Sequence, residues 1–229
     1  MNVALITGAS KGFGRAIVRA LGQDGWTVVM DARDQQALAR AADDLPSAVA
    51  ISGDVADSWH RAGLADAVER IGQLDLLINN ASYLGPSPLP RLSDYSLGEL
   101  TRVYQVDVLA PLAIVQAMLP LLRRSSGTVV NITSDAAVEA YPGWGGYGSA
   151  KAALDQLTAV LAAEEPNIAC YAFDPGDMRT DMHQAAFPGE DISDRPVPET
   201  VVPALLQLIR QRPASGRYRA SDLAAAVSP

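Results

Sequence analysis

Short runs rich in Val, Ile and Leu alternate along this chain with longer stretches of helical spacing. That alternation is the pattern of βαβ units, because strands covered on both faces by crossover helices are apolar almost throughout. Strands are predicted at VALIT (3–7), TVVMD (27–31), AVAISGDV (48–55), LDLLINN (74–80), TVVNITS (128–134), IACYAFD (168–174) and, more weakly, RYRA (217–220). Helices are predicted near residues 12–23, 35–43, 58–71, 94–119, 149–163 and 199–211. The expected architecture is α/β: one doubly wound domain over residues 1–229, with a parallel sheet of about seven strands and helices on both faces. Ligands of such sheets lie at the carboxyl ends of the strands.

A length of 229 residues with 48% hydrophobic content and mean hydropathy +0.08 suits one soluble domain. Net charge is −8 and the pI about 4.7, so no long-range field draws nucleic acid or an anionic membrane, and neither is expected as a partner. The N-terminal NVALITG shows no signal-peptide features, and Cys170 is the single cysteine, which excludes an intrachain disulfide. Both point to a cytoplasmic protein. His60 and His183 are the only histidines and have no cysteine companions, so no metal site is expected.

The segment TGASKGFG (7–14) follows the first strand and opens the first helix. In that setting Gly8 permits a tight turn, Gly12 lets backbone approach a pyrophosphate, and Gly14 allows helix to pack closely on strand. Exposed N–H groups at the helix start then receive phosphates. Glycines also mark ordinary turns, so the strand-turn-helix context carries the reading. A second sparse feature is YGSAK (147–151), which holds one of two lysines in a chain with sixteen arginines.

Together TGASKGFG, GDV (53–55), NNAS (79–82), NITS (131–134), YGSAK (147–151) and PGDMRT (175–180) resemble the short-chain dehydrogenase/reductase family, in its motif order and over nearly the whole chain. The resemblance implies a Rossmann-type domain carrying both cofactor and substrate, commonly as a homodimer or homotetramer. It implies cofactor contacts from Gly8, Ser10, Lys11, Gly12, Phe13, Gly14, Asp54, Val55, Asn80, Ala81, Tyr147, Lys151, Met178 and Thr180. A sugar-nucleotide epimerase also uses Y-x-x-x-K, but its usual glycine spacing and C-terminal lobe are missing here.

In VVMDARD (28–34) the position that selects the cofactor aligns with Ala32, followed by Arg33. Arg33 and Lys11 would give a ribose 2′-phosphate two cations, which favours NADP (NADPH) over NAD. A register shifted by one residue would instead put Asp31 on the 2′-hydroxyl and favour NAD. Arg33 read alone is an ordinary surface arginine.

The resemblance further implies Ser134, Tyr147 and Lys151 as the catalytic set of an NADP(H)-dependent oxidoreductase interconverting a carbonyl and an alcohol. A carbonyl that receives hydride needs a proton donor beside its oxygen, and a phenol with an ordinary pKa near 10 needs help to give and take that proton. Lys151 lies four residues after Tyr147, one helical turn along the same face, where its ammonium lowers the phenol's pKa. Two positions depart from the family: Ser82 stands where Gly is usual, and Asp107 in QVDVLAP stands where Asn is usual. Asp107 either holds the water that the Asn tethers, pairs with Lys151, or is a buried acid kept neutral. A non-catalytic NADP(H)-binding sensor on the same fold is the alternative function.

Two connecting segments, 82–95 and 181–199, are long and Pro-rich, and the second is expected to be a substrate lid. Tyr83, Tyr141, Trp144, Met182 and Phe187 suggest an apolar, partly aromatic pocket for a small ketone, aldehyde or secondary alcohol, or equally core or subunit interface. His183 is expected at the surface.

Overall fold

A computed structural model describes residues 2–225. Its seven-stranded sheet comprises β1 (Val3–Ile6), β2 (Thr27–Ala32), β3 (Ala48–Ser52), β4 (Leu76–Asn79), β5 (Thr128–Ile132), β6 (Ala169–Asp174) and β7 (Gly216–Arg219). All pairings are parallel and the strand order is β3-β2-β1-β4-β5-β6-β7. All seven predicted strands are present within a few residues of their expected limits.

Alternation along each strand divides two apolar layers. Ala4 and Ile6 of β1, with Val28, Met30, Ile78 and Val130, face Ile17 and Leu21 of helix α1 (Gly12–Gln23) and Leu205 and Leu208 of α8 (Val202–Gln211). Val3 and Leu5 point the other way, with Val29, Leu77 and Val129, onto Leu64 and Val68 of α3 (Ser58–Ile71) and Ile114 and Met118 of α5 (Ala110–Ser125). Helix α2 (Gln35–Ala42) starts at Asp34, whose side chain caps the Ala37 N–H at 2.9 Å. The sheet is therefore covered on both faces, as its continuous apolar runs require.

The long helix expected over 94–119 is instead α4 (Leu97–Tyr104), a five-residue π turn (Gln105–Leu109), and then α5. Pro111 has no N–H to give the carbonyl four residues back, at Asp107, so the helix widens there. The combined stretch Leu97–Ser125 is apolar and long enough to cross a membrane by composition, yet more than half of its most apolar window is buried against the sheet and neighbouring helices. The helix expected at 149–163 begins earlier, as α6 (Gly145–Glu164), so Tyr147 lies inside its first turn. Residues 181–199 are not a plain loop: they open with α7 (Asp181–Ala186), capped by Thr180, and reach a 3-10 turn at Pro198–Thr200. Helix α9 (Ala220–Ala225) follows β7.

Candidate active site

Strand order reverses between β1 and β4, and a cavity of about 1220 Å³ opens at their carboxyl ends. Gly8 has φ +67° there, and a side chain on it would strike the Cα of Ala81 at 2.8 Å. Gly14 has no room either, because a Cβ would run into the Gly8 carbonyl and the Asn80 amide. Asn80 locks this arrangement, its Nδ2 donating to the carbonyls of Thr7 at 2.9 Å and Gly8 at 3.1 Å. Gly12, at φ +54°, meets only the Thr180 side chain, at 3.5 Å and beyond. The loop thus keeps one close-packed side and one open side facing the cavity, a cradle that fits a pyrophosphate.

Ser10, Lys11, Phe13, Arg33, Asp54, Val55, Asn80, Ala81, Met178 and Thr180 line the same cavity as Gly8, Gly12, Ser134, Tyr147 and Lys151. Two expected site residues do not reach it. Gly14 serves packing, and Asp107 is wholly buried behind the cavity wall. Phe13 is 5% exposed and stacks on Phe173 with centroids 6.2 Å apart, so most of its ring belongs to the core. Lys11 pairs across the cavity mouth with Asp181 at 2.9 Å, both ends largely exposed.

Asp31 is 1% exposed, and both its carboxylate oxygens are engaged. Oδ1 accepts the Gly8 N–H at 2.9 Å, while Oδ2 meets His60 Nε2 at 2.9 Å. His60 fits only because residue 53 is Gly, since a Cβ there would overlap the imidazole. No pattern in the sequence announced this pairing. Arg33 projects into solvent at the cavity edge.

Glycines also place Tyr147. A Cβ on Gly148 would collide with the Ala136 carbonyl, and one on Gly146 with the Tyr95 ring, so the GGYG turn lets α6 start against the end of β5. Ser134 Oγ donates to Asp135 Oδ1 at 2.9 Å and accepts the Ala136 N–H at 3.2 Å. Lys151 Nζ, 2% exposed as a residue, donates to the Ile132 carbonyl at 3.0 Å and pairs with Asp107 Oδ1 at 3.1 Å. It lies 5.3 Å from the Tyr147 ring centroid. Of the readings open for Asp107, the structure has it paired with Lys151.

The electrostatics follow from burial. Burial pushes the Tyr147 phenol up and Lys151 pulls it back, but Asp107 pushes it up again and the net direction is upward. The lowering expected from Lys151 is present as a pull that desolvation outweighs. Burial drives the Lys151 amine down, and the facing Tyr147 and Asp107 more than reverse it, which keeps it charged. Burial likewise raises the Asp107 carboxyl, against the opposing pull of Lys151.

Across the cavity, Trp144 sets its ring 5.9 Å from both Tyr147 and Phe187, beside Leu84 and Met182. His183 is not at the surface as expected: it is 9% exposed, its ring centred 4.9 Å from Phe187, because the first turn of α7 folds it inward. Arg217 was not singled out in the sequence. Its guanidinium joins Asp155 at 3.1 Å, Asp174 at 2.9 Å and the Ser134 carbonyl at 2.9 Å, tying β7 to the catalytic end of β5.

A family profile described as short chain dehydrogenase matches residues 2–191. This chain belongs to the short-chain dehydrogenase family. It is accordingly an oxidoreductase. Similar family members include sepiapterin reductase of Meriones unguiculatus, 34% identical over 201 residues, covering 80% of this chain and 77% of the relative. Among solved structures, the alcohol dehydrogenase from Thermococcus sibiricus complexed with 5-hydroxy-NADP superposes with TM-score 0.85 at 28% identity, covering 96% of this chain and 95% of that one. A Shigella flexneri short-chain dehydrogenase complexed with NADP gives TM-score 0.88 at 28% identity, covering 96% and 97%. Ser82 and Asp107, the two positions singled out in the sequence as unusual, touch: Ser82 Oγ donates a hydrogen bond to Asp107 Oδ1.

Proposed function

We propose that this dehydrogenase interconverts a small ketone or aldehyde and its alcohol using NADP(H), with Tyr147 as the general acid and base. The observation that carries the reading is the convergence of Ser134, Tyr147 and Lys151 with the glycine cradle on one cavity. At about 1220 Å³ it exceeds the roughly 300–1,000 Å³ usual for a single small ligand, leaving room for a dinucleotide and a substrate together. When bound, the nicotinamide supplies the hydride for reduction or accepts it in oxidation.

In reduction, Tyr147 donates its phenolic proton to the substrate oxygen, and in oxidation the phenolate takes it back. Ser134 turns its hydroxyl from Asp135 toward that same oxygen and fixes the carbonyl. Lys151 uses two of its three donors on Ile132 and Asp107, leaving one for a ribose hydroxyl of the cofactor. Asp54, Val55, Asn80 and Ala81 would flank the adenosine and nicotinamide halves, with Met178 and Thr180 near the carboxamide. Leu84, Trp144, Met182 and Phe187 form an apolar wall suited to the substrate's carbon skeleton, under a lid drawn from residues 181–199.

NADP over NAD is favoured because Asp31 is 1% exposed with its carboxylate already bound by the Gly8 N–H and His60, whereas Arg33 is exposed at the cavity edge. Lys11 joins it by releasing Asp181, a largely exposed pair of small worth. Both solved relatives described above carry an NADP-type ligand. A panel of ketones and aldehydes with NADPH and NADH, followed by absorbance of the reduced nicotinamide, tests the proposal. Turnover is expected with NADPH, lost in Tyr147→Phe while NADPH binding persists. NADPH that raises the melting temperature with no substrate turned over is the outcome expected of the sensor.

A further inference from the structure

Asp31, next to last in β2, lines the cavity together with Ala32 and Arg33. An acidic side chain at the end of a second strand, roughly twenty residues beyond a glycine turn, is the usual receiver of the ribose 2′-hydroxyl of NAD. Here that carboxylate is held on two sides. Oδ1 accepts the Gly8 N–H at 2.9 Å and Oδ2 accepts from His60 Nε2 at 2.9 Å, so Nε2 carries the shared proton. The Asp31 carbonyl also takes the Ala9 N–H at 2.8 Å, and one residue thereby pins two successive amides of the glycine loop. His60 reaches Asp31 from the first turn of α3, its side chain 7% exposed, and does not itself line the cavity. It fits over Gly53, just past β3, where a Cβ would stand 2.1 Å from its Nδ1.

We propose that His60 sets the choice between NADPH and NADH from outside the site, by holding Asp31 Oδ2 away from a ribose 2′-hydroxyl and leaving the 2′ position to Arg33. This deepens the NADP(H) reading above and rests on it. His60 touches neither cofactor nor substrate and is a positioning residue, acting through Asp31. With the imidazole gone, Asp31 keeps only the Gly8 N–H on its side chain, and a buried carboxylate that loses a partner is driven to find another. The cavity that Asp31 already lines is open to it. Turned that way, the carboxylate accepts a hydrogen bond from the 2′-hydroxyl of NADH and repels the 2′-phosphate of NADPH. The glycine at 53 belongs to the same device, because any side chain there displaces the imidazole.

The test is isothermal calorimetry of NADPH and NADH on the full chain, read as the ratio of their dissociation constants. It needs no turnover, so it is separate from whether a carbonyl substrate is found. His60→Leu is expected to move the ratio about tenfold toward NADH, since one nucleotide gains a hydrogen bond and the other meets a like charge. His60→Gln places an N–H near the position of Nε2 and is expected to hold the parental ratio. Gly53→Ala, which leaves His60 in the chain but pushes its ring aside, is the second variant and is expected to shift the ratio as His60→Leu does. Asp31→Asn combined with His60→Leu removes the carboxylate and is expected to bring the ratio back. An unchanged ratio in both His60→Leu and Gly53→Ala, with the two nucleotides weakened equally or not at all, overturns the proposal and leaves His60 a packing residue. So does a ratio that stays displaced in the double variant, since the freed carboxylate would then not be the agent. A parent protein that binds both nucleotides without preferring NADPH would sink the cofactor reading alone, because the shift is measured from whatever ratio the parent has.

Discussion

Three groups surround the Lys151 ammonium: the Ile132 carbonyl at 3.0 Å, Asp107 Oδ1 at 3.1 Å, and Tyr147, whose ring centroid is 5.3 Å away. A compact point charge on a flexible stem satisfies all three at once, whereas a planar guanidinium is wider and spreads its charge. This accounts for a lysine at a position where a chain with sixteen arginines could have used another. Lys151→Arg is expected to lower kcat on the order of a hundredfold despite the conserved charge, as steady-state rates at saturating NADPH will show. Arg33→Ala is expected to weaken NADPH but not NADH, narrowing the gap between their dissociation constants. Equal affinities in the unmodified protein would mean that the cation at the cavity edge does not read the 2′-phosphate.

At the scale of elements, the sheet's switch point holds the site only because neighbouring elements press close. Helix α1 packs against the β1 turn through Gly14, so Gly14→Ala forces its new methyl onto the Gly8 carbonyl. Overpacking of this kind costs about 1–3 kcal/mol, and the displaced loop is expected to lose NADPH affinity along with it. Isothermal calorimetry and urea unfolding measure the two effects separately. Strand β7 is held to β5, β6 and α6 by Arg217, whose side chain is 24% exposed. Burial already raises the Asp155 carboxyl, which Arg217 helps to offset. Arg217→Ala is expected to cost roughly 2–3 kcal/mol in urea unfolding, somewhat below a fully buried pair, and to raise KM for the carbonyl by loosening Ser134.

For the molecule as a whole, the two apolar layers fix how it responds to alkali. Burial pushes the Cys170 thiol up to about 11 and the Tyr171 phenol up to about 12, and both lie on β6, between β5 and β7. Each group titrates higher folded than unfolded, so the folded state binds the extra proton between the two values. Stability from this source is full below the ordinary pKa values of 9.0 and 10.0 and falls as pH rises toward 11 and 12. Thermal unfolding followed from pH 8 to 11 is expected to show that decline, lessened in Cys170→Ala. Leu97, Leu109 and Val160 are exposed on α4, the π turn and α6. Self-association as a homodimer or homotetramer would cover such residues, and sedimentation velocity is expected to find one of these states.

The order of strands and helices, the glycine turn and the Tyr147–Lys151 spacing were all legible in the sequence, because each is local. A period of two or of 3.6 residues reports burial within one element, and a φ of +67° at position 8 or a crowded contact at 14 calls for glycine wherever the chain goes next. Helix boundaries were less legible where Pro111 widened a turn, since the pattern of apolar residues continues through the π turn unbroken. What only the tertiary structure decided are the partners. Ser82 meets Asp107 across 25 residues, His60 meets Asp31 across 29, and Arg217 reaches the Ser134 carbonyl across 83. Such pairs depend on which strand ends lie side by side in a parallel sheet. No periodicity records that, because crossover connections separate neighbours in space by whole helices in sequence.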